Sequence, residues 1–388
     1  MTKRKPATIA VRTGIESDTQ HQAVVPPIYL STNYSFPHFG DVPKYDYTRS
    51  GNPNRSLLEQ ALYELESGVG AVVTNCGTSA LNLLVSAYLG PNDLIVAPHD
   101  CYGGTHRLFN TRANKGDFNV EFIDQSDSTQ LDAALEKSPK LILLETPSNP
   151  LVRVVDIAEI CEKARKVGAL VAVDNTFLTP IYQKPLELGA DFVVHSTTKY
   201  INGHSDVIGG VVITKSEQHA EELAWWGNCI GATGTPFDSY MTLRGIRTLG
   251  ARMRLHEEGA QKVLEFLQTQ KQVAKIYHPS LPDHPGHDIA KKQQSGFGSM
   301  LSFEYSGTDD QLKTFVNELT LFSLAESLGG VESLICHPAS MTHRAMGEQA
   351  LQEAGISQQL LRLSIGLEDS QDLIADLQHA FAVVEGEA

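Results

Sequence analysis

The chain has 388 residues, 41% of them hydrophobic and 20% charged, which is enough for two to three domains that bury their own cores without disulfide staples. Its formal net charge of −15, with no basic stripe, repels polyanions and argues against nucleic acid as a partner. Apolar runs such as Leu141 to Leu144 and Ala169 to Val173 are far shorter than the ~20 residues of a membrane span. The segment Met1 to Pro6 is basic and polar, unlike a secretory signal, so the expected location is the cytoplasm. Cys76, Cys101, Cys161, Cys229 and Cys336 are an odd, widely spaced set with no C-x-x-C pair; they read as reduced and mostly buried, with a catalytic Cys101 the lesser reading. His195 and His204 have no cysteine or histidine at ligand spacing, and no H-E-x-x-H occurs, so no metal site is expected.

Residues 1–58 carry many turn formers (Pro26-Pro27, Pro37, Gly40, Pro43, Asn52-Pro53) and little helical periodicity. They predict an extended N-terminal arm of the kind that reaches a neighbouring subunit. Helical spacing begins with Leu57, Leu58, Ala61, Leu62 and Leu65, and short apolar runs then alternate with helical stretches. That alternation predicts an α/β domain over residues 59–255 with a mostly parallel sheet. The predicted strands are Ala71 to Thr74, Leu94 to Ala97, Leu141 to Leu144, Leu170 to Val173, Phe192 to His195 and Gly210 to Ile213. Between the third and fourth, Asp156 is placed to cap a helix whose one face carries Ile157, Ile160, Cys161, Ala164 and Val167, with Gly168 at its end, completing a βαβ unit. Residues 256–388 mix a long polar helix, a Pro/Gly-rich stretch and further strand and helix signals, and predict a smaller α+β domain.

Ligands of an open parallel sheet gather at the carboxyl ends of its strands. The residues that follow the predicted strands are Asn75 to Ser79, His99 to Gly104, Glu145 to Pro150, Asp174 to Thr176 and Ser196 to Lys199. Gly77 precedes a helix predicted from about Ser79 to Leu89, so unpaired amides face an anion-sized space there; a ligand-free strand-to-helix turn is the plainer reading. Gly68-x-Gly70 precedes its strand and Val73 stands where a dinucleotide fingerprint needs glycine, which excludes that reading. A lone lysine is ordinarily solvated. Lys199, however, follows a buried-looking strand and three hydroxyl residues, and shielding from water makes a lysine a usable amine nucleophile. Asp174 ends the strand one βαβ step earlier, and a buried aspartate needs a cation, which a protonated pyridine nitrogen would supply. Ser196-x-x-Lys199 also fits the S-x-x-K of acyl-serine hydrolases, but the S-D-N and K-T-G partners of that class are absent.

Five longer motifs run through the same positions: Tyr47-Thr48-Arg49-Ser50-Gly51-Asn52-Pro53, Pro98 to Gly104, Ser148-Asn149-Pro150, Val173 to Thr176, and His195 to Asp206. With them the chain resembles, over nearly its whole length, the cystathionine γ-synthase group of the Cys/Met-metabolism enzymes that use pyridoxal 5′-phosphate (PLP), in its bacterial branch. The resemblance implies PLP-dependent transferase fold type I, with helices on both faces of the central sheet, and a homotetramer built from two active dimers. It implies that Lys199 carries PLP as a Schiff base and shuttles protons, that Asp174 pairs with the pyridine nitrogen, and that Tyr102 stacks on the ring and assists proton transfer. Gly77, Thr78, Ser196 and Thr198 would hold the phosphate, joined by Tyr47 and Arg49 of the adjacent subunit. Arg362, helped by Asn149 and Ser327, would clamp the substrate α-carboxylate, and Asp46, Arg107 and Glu326 would line the distal pocket. The implied reaction is replacement of the acyl group of an O-acyl-homoserine, O-succinyl-homoserine foremost, by cysteine, in methionine biosynthesis. Position 50 is serine where some members of this branch carry a second arginine, which leaves the acyl group open. Cystathionine γ-lyase and O-acyl-homoserine sulfhydrylase share the same core motifs and stand as alternatives, and a non-catalytic protein that keeps the fold is the reading from a different class.

Overall fold

The computed structural model describes residues 4–386. The arm begins with a short helix that the sequence reading missed, α1 (Pro6–Arg12), which has Pro6 at its first turn and buries Ile9 and Ala10. Seven residues are too few to display a helical period. After it, residues 13–52 form turns and extended chain, with one isolated bridge between Asn33 and Tyr47. Helix α2 (Pro53–Leu65) starts where Asn52 accepts the amides of Asn54 and Arg55, a side-chain cap followed by proline at the first helical position.

The large sheet contains β1 (Gly70–Thr74), β2 (Leu94–Pro98), β3 (Asn119–Ile123), β4 (Leu141–Glu145), β5 (Leu170–Asp174), β6 (Phe192–Ser196) and β7 (Gly210–Thr214), in the order β1-β7-β6-β5-β4-β2-β3. Strands β3, β2, β4, β5 and β6 are parallel, whereas β7 lies antiparallel between β6 and β1. Edge strand β3 was not predicted, because a half-exposed five-residue run with Glu121 at its centre reads as surface chain. Strands alternate with α3 (Gly77–Tyr88), α4 (Gly103–Asn114), α5 (Ser128–Glu136) and α6 (Ile157–Lys166). Side-chain alternation along the strands divides two cores. Leu141, Leu143, Ala172, Phe192, Val194 and Val212 pack on one face with α3, while Ile142, Leu144, Val171 and Val173 pack on the other with α5 and α6. Covering both faces explains why these strands are unbroken apolar runs.

The second sheet, β8 (Val273–Tyr277), β9 (Met300–Tyr305), β10 (Ser323–Leu324), β11 (Leu334–Cys336) and β12 (Leu360–Ser364), has the order β10-β11-β12-β9-β8. One helix, Leu249–Leu267, joins it to the first body: Leu249 and Met253 belong to the core that contains α2, and Ala260, Val263, Leu264 and Leu267 to the core of the second sheet. The expected limit between residues 255 and 256 thus falls inside a continuous helix. Among the described residues no helix is long and apolar enough to cross a membrane.

Candidate active site

Because β1 is antiparallel to β7 and β7 to β6, the carboxyl end of β1 lies on the same rim as those of β2, β4, β5 and β6. A cavity of about 750 Å³ opens along this rim, and Gly77, Tyr102, Glu145, Asp174, Lys199 and Arg362 are among its lining residues. The rim can close this tightly only with glycine at two points. A Cβ on Gly77 would come within 2.8 Å of the Ser196 Cβ, and one on Gly210 within 2.3 Å of the Cys76 carbonyl oxygen. Packed there, the first turn of α3 presents amides that have no intrahelical acceptor, with Cys76 capping Ser79 N and Ser196 across the gap. This is a place for a phosphate. Thr198 also lines the cavity, but its hydroxyl donates to Gly209 O at 3.2 Å and accepts from Gly209 N at 3.0 Å.

Asp174 ends β5 beside Glu145 at the end of β4, its registered neighbour. Both hydrogen bonds from Thr176, from its amide at 3.0 Å and its hydroxyl at 2.5 Å, fall on Asp174 Oδ1, and the same hydroxyl accepts from Ser196 N at 2.9 Å. Burial raises the pKa of Asp174, against the opposing effects of Thr176 and His195. Burial first, then the charge of Asp174, pushes Glu145 well above the usual carboxylate range. The half-buried Asp174 carboxyl beside the buried Glu145 makes a site for a cation such as a protonated ring nitrogen. Tyr102 immediately precedes α4 without a side-chain capping bond, and its ring lies so close over Gly104 that a Cβ there would meet it at 2.3 Å.

Lys199 follows β6 in a turn, and its Nζ donates to Ser327 Oγ at 2.7 Å. Burial, and next the charge of Arg362, lowers its pKa to about 8, with Glu326 opposing. Ser327 holds a positive φ of 84°, a conformation that costs about 1–3 kcal/mol away from glycine and marks a constrained site. Its carbonyl accepts from Arg362 Nη2 at 2.7 Å while Arg362 Nη1 donates to Asn149 Oδ1 at 2.8 Å. Arg362 stands on β12, only 2% exposed, and its buried Nε has no partner. A carboxylate is the group that such a fork would accept.

The structure therefore gathers Gly77, Thr78, Tyr102, Asn149, Asp174, Ser196, Thr198, Lys199, Glu326, Ser327 and Arg362 on one cavity. The other four predicted residues do not line it. Tyr47 is 44% exposed, Arg49 donates to the side chain and carbonyl of Asn228 at 2.6 and 2.8 Å, Asp46 accepts from Ser50 Oγ, and Arg107 is exposed on α4. Glu145, Thr176, Thr342 and His343 were missed as individual site residues. Glu145 had a signal, a carboxylate closing the run Leu141 to Leu144, whereas His343 is brought in only by the tertiary fold. All five cysteines are free, and burial, reinforced by Glu145 and Asp100, pushes the Cys101 thiol well above its ordinary value; a thiolate is not formed there.

A mostly parallel sheet with a strand-end lysine, a paired aspartate and a helix-start phosphate cradle defines an enzyme that binds a phosphorylated pyridine aldehyde. The chain belongs to the Cys/Met metabolism PLP-dependent enzyme family, whose model matches residues 7–382. It is 58% identical over 378 residues, 97% of this chain and 98% of the relative, to cystathionine γ-synthase of Escherichia coli (strain K12). It is 45% identical over 96% of its length to cystathionine β-lyase of Lactococcus lactis subsp. cremoris (strain MG1363), 98% of which is covered. The crystal structure of cystathionine γ-synthase from Xanthomonas oryzae pv. oryzae in complex with aminoacrylate and cysteine superposes with a TM-score of 0.98 at 54% identity, over 100% of both chains. The cofactor of this enzyme is pyridoxal phosphate, and the Asp174–Glu145 pair, the α3 amides and the low-pKa Lys199 fit its pyridine, phosphate and aldehyde in turn.

Proposed function

We propose that this enzyme catalyses γ-replacement: an O-acyl-L-homoserine, O-succinyl-L-homoserine foremost, reacts with L-cysteine to give L-cystathionine and the free acid, a step of methionine biosynthesis. The single observation that carries the reading is the placement, in one cavity, of a lysine amine and a buried arginine fork with an unpaired Nε, in a chain 58% identical to a γ-synthase. Lys199, Asp174 and Tyr102 would hold the cofactor at its aldehyde, ring nitrogen and ring face. Gly77, Thr78 and Ser196 would hold its phosphate, with Thr198 bracing the loop through Gly209. When bound, pyridoxal phosphate supplies an aldehyde for the substrate amine and an electron-withdrawing ring that stabilises negative charge at Cα. Arg362 and Asn149 fix the α-carboxylate, which places the Cα–H within reach of Lys199. The Lys199 amine takes the Cα proton and assists removal of a Cβ proton; the Cγ–O bond breaks and the acyl group leaves as its carboxylate, the cysteine sulfur forms the Cγ–S bond as its proton passes to that carboxylate, and the protons held at Lys199 return to Cβ and Cα to give cystathionine. Glu326, at the cavity edge, Asp46 and Arg107 recognise the outer ends of the substrates.

Tyr47 and Arg49 lie outside their own chain's cavity, and the arm around them exposes Leu30, Phe39 and Val42 at 71%, 108% and 78%. An apolar arm of this kind is covered by a second copy, which supports a homotetramer of two active dimers with shared sites. Mixing Arg49→Ala with Lys199→Ala subunits is expected to restore part of the activity lost in each; no rescue in subunit-exchanged mixtures removes the shared site. The acidic, non-membrane composition and free thiols support a cytoplasmic location.

Two further outcomes test the chemistry. With a Lys199 pKa of about 8, the neutral amine is about one tenth of the population at pH 7. The rate of cofactor loading onto cofactor-free protein should therefore rise about tenfold per pH unit below 8 and level off above it, as followed by visible absorbance; a continued rise beyond pH 9.5 means an unperturbed lysine. Supplied with O-succinyl-homoserine and cysteine, the purified enzyme should form cystathionine in excess of 2-oxobutyrate. Supplied with cystathionine alone, it should release little 2-oxobutyrate; the reverse pattern is that of a γ-lyase.

A further inference from the structure

Asn149 is held at three points. Its amide donates to Glu145 Oε1 at 3.1 Å, its Oδ1 accepts from Arg362 Nη1 at 2.8 Å, and its carbonyl accepts from His343 Nε2 at 3.0 Å. Its Nδ2 donates to no group among the described residues, and Asn149 lines the cavity. His343 is completely buried, and its other ring nitrogen, Nδ1, lies 2.9 Å from the Thr342 hydroxyl. A carbonyl oxygen only accepts, so Nε2 must carry the proton. Burial, and next the charge of Arg362, lowers the pKa of His343 to about 4, so the ring is neutral at pH 7 and Nδ1 has only a lone pair to offer. Thr342 must then be the donor to it. Backbone packing holds the pair in place, since the Thr342 carbonyl would lie 2.6 Å from a Cβ on Gly103 at the start of α4.

We propose that His343 is a positioning residue for the carboxylate clamp: locked into one tautomer by the Thr342 hydroxyl, it fixes the Asn149 peptide so that Asn149 Nδ2 and Arg362 Nε are presented together to the substrate. The opposite tautomer would set a lone pair at Nε2 against the Asn149 carbonyl and release that peptide. This inference rests on the reading of Arg362 and Asn149 as the clamp.

Replacing His343 outright leaves a buried carbonyl unpaired, so the test acts on the lock. In the holoenzyme at saturating cysteine, Thr342→Val keeps the volume and removes the donor, whereas Thr342→Ser keeps the donor and loses a methyl group. Thr342→Val is expected to raise KM for O-succinyl-homoserine roughly tenfold with kcat within about threefold, and Thr342→Ser to stay within about twofold of the parent. On an Asn149→Ala background the valine change should add less than about twofold, because the group being positioned is gone. Equal effects of valine and serine, no effect of valine, or a full effect on the Asn149→Ala background each overturns the proposal. An unchanged KM in Arg362→Lys would instead overturn the clamp itself, so the two failures are distinguishable.

Discussion

Lys199→Arg is expected to lose at least about 10³-fold in turnover while the protein stays folded, because general acid–base catalysis alone is worth about 10²–10⁴-fold and covalent attachment is lost as well. Nζ is part-buried, donates to Ser327 Oγ at 2.7 Å and has its pKa lowered to about 8, so at pH 7 about one tenth of it is the free amine that a nucleophile or base must be. A guanidinium cannot serve as either, since it stays protonated. The check is twofold: borohydride reduction of the parent should fix the cofactor on the peptide that contains Lys199, and the variant should show no such adduct by mass spectrometry. A variant with more than a tenth of parental turnover would remove Lys199 from the chemistry.

Arg362→Lys is the second large effect. The arginine is 2% exposed, and its two Nη atoms already serve Asn149 Oδ1 and Ser327 O, leaving the buried Nε without a partner. Lysine retains the charge but has no planar fork, so both partners and the substrate carboxylate lose their geometry together. Truncating one side of a buried charged pair costs about 2–5 kcal/mol, and kcat/KM should fall about 10²–10³-fold, chiefly through KM for the acyl-homoserine. Steady-state kinetics at fixed saturating cysteine provides the measurement, and a change confined to kcat would contradict the assignment. Asn149 Oδ1 would also be left as a buried acceptor, at about 1–3 kcal/mol of stability, which thermal unfolding of the cofactor-loaded protein would register.

Much of this was legible in the chain because the chemistry lies at local features. Six of the seven strands of the large sheet are apolar runs long enough to identify, and the residues after them carry glycine, aspartate and lysine where β1, β5 and β6 end. Asp156 capping α6 and Gly168 after it with φ of 74° are likewise local, since a cap acts within one turn. The weak signals were those of short or half-exposed elements, α1 and β3, whose residues are too few or too polar to show a period.

What the sequence by itself determined was the fold class and the identity of the reactive groups, because periodicity and strand-end residues follow from backbone geometry. The tertiary structure alone decided their partnerships. Only the fold sets the buried Glu145 beside Asp174, brings Ser327, from the chain before β11, and Arg362, on β12, onto Lys199 across more than a hundred residues of chain, and places His343 beneath Asn149. Tyr47 and Arg49, legible in a motif, and Asp46 and Arg107, expected from the family resemblance, lie outside the cavity of their own chain, the first three on the extended arm and Arg107 on the exposed side of α4. Hydrogen bonds and desolvation depend on distance in space, and neither is written in residue spacing once the chain turns back on itself.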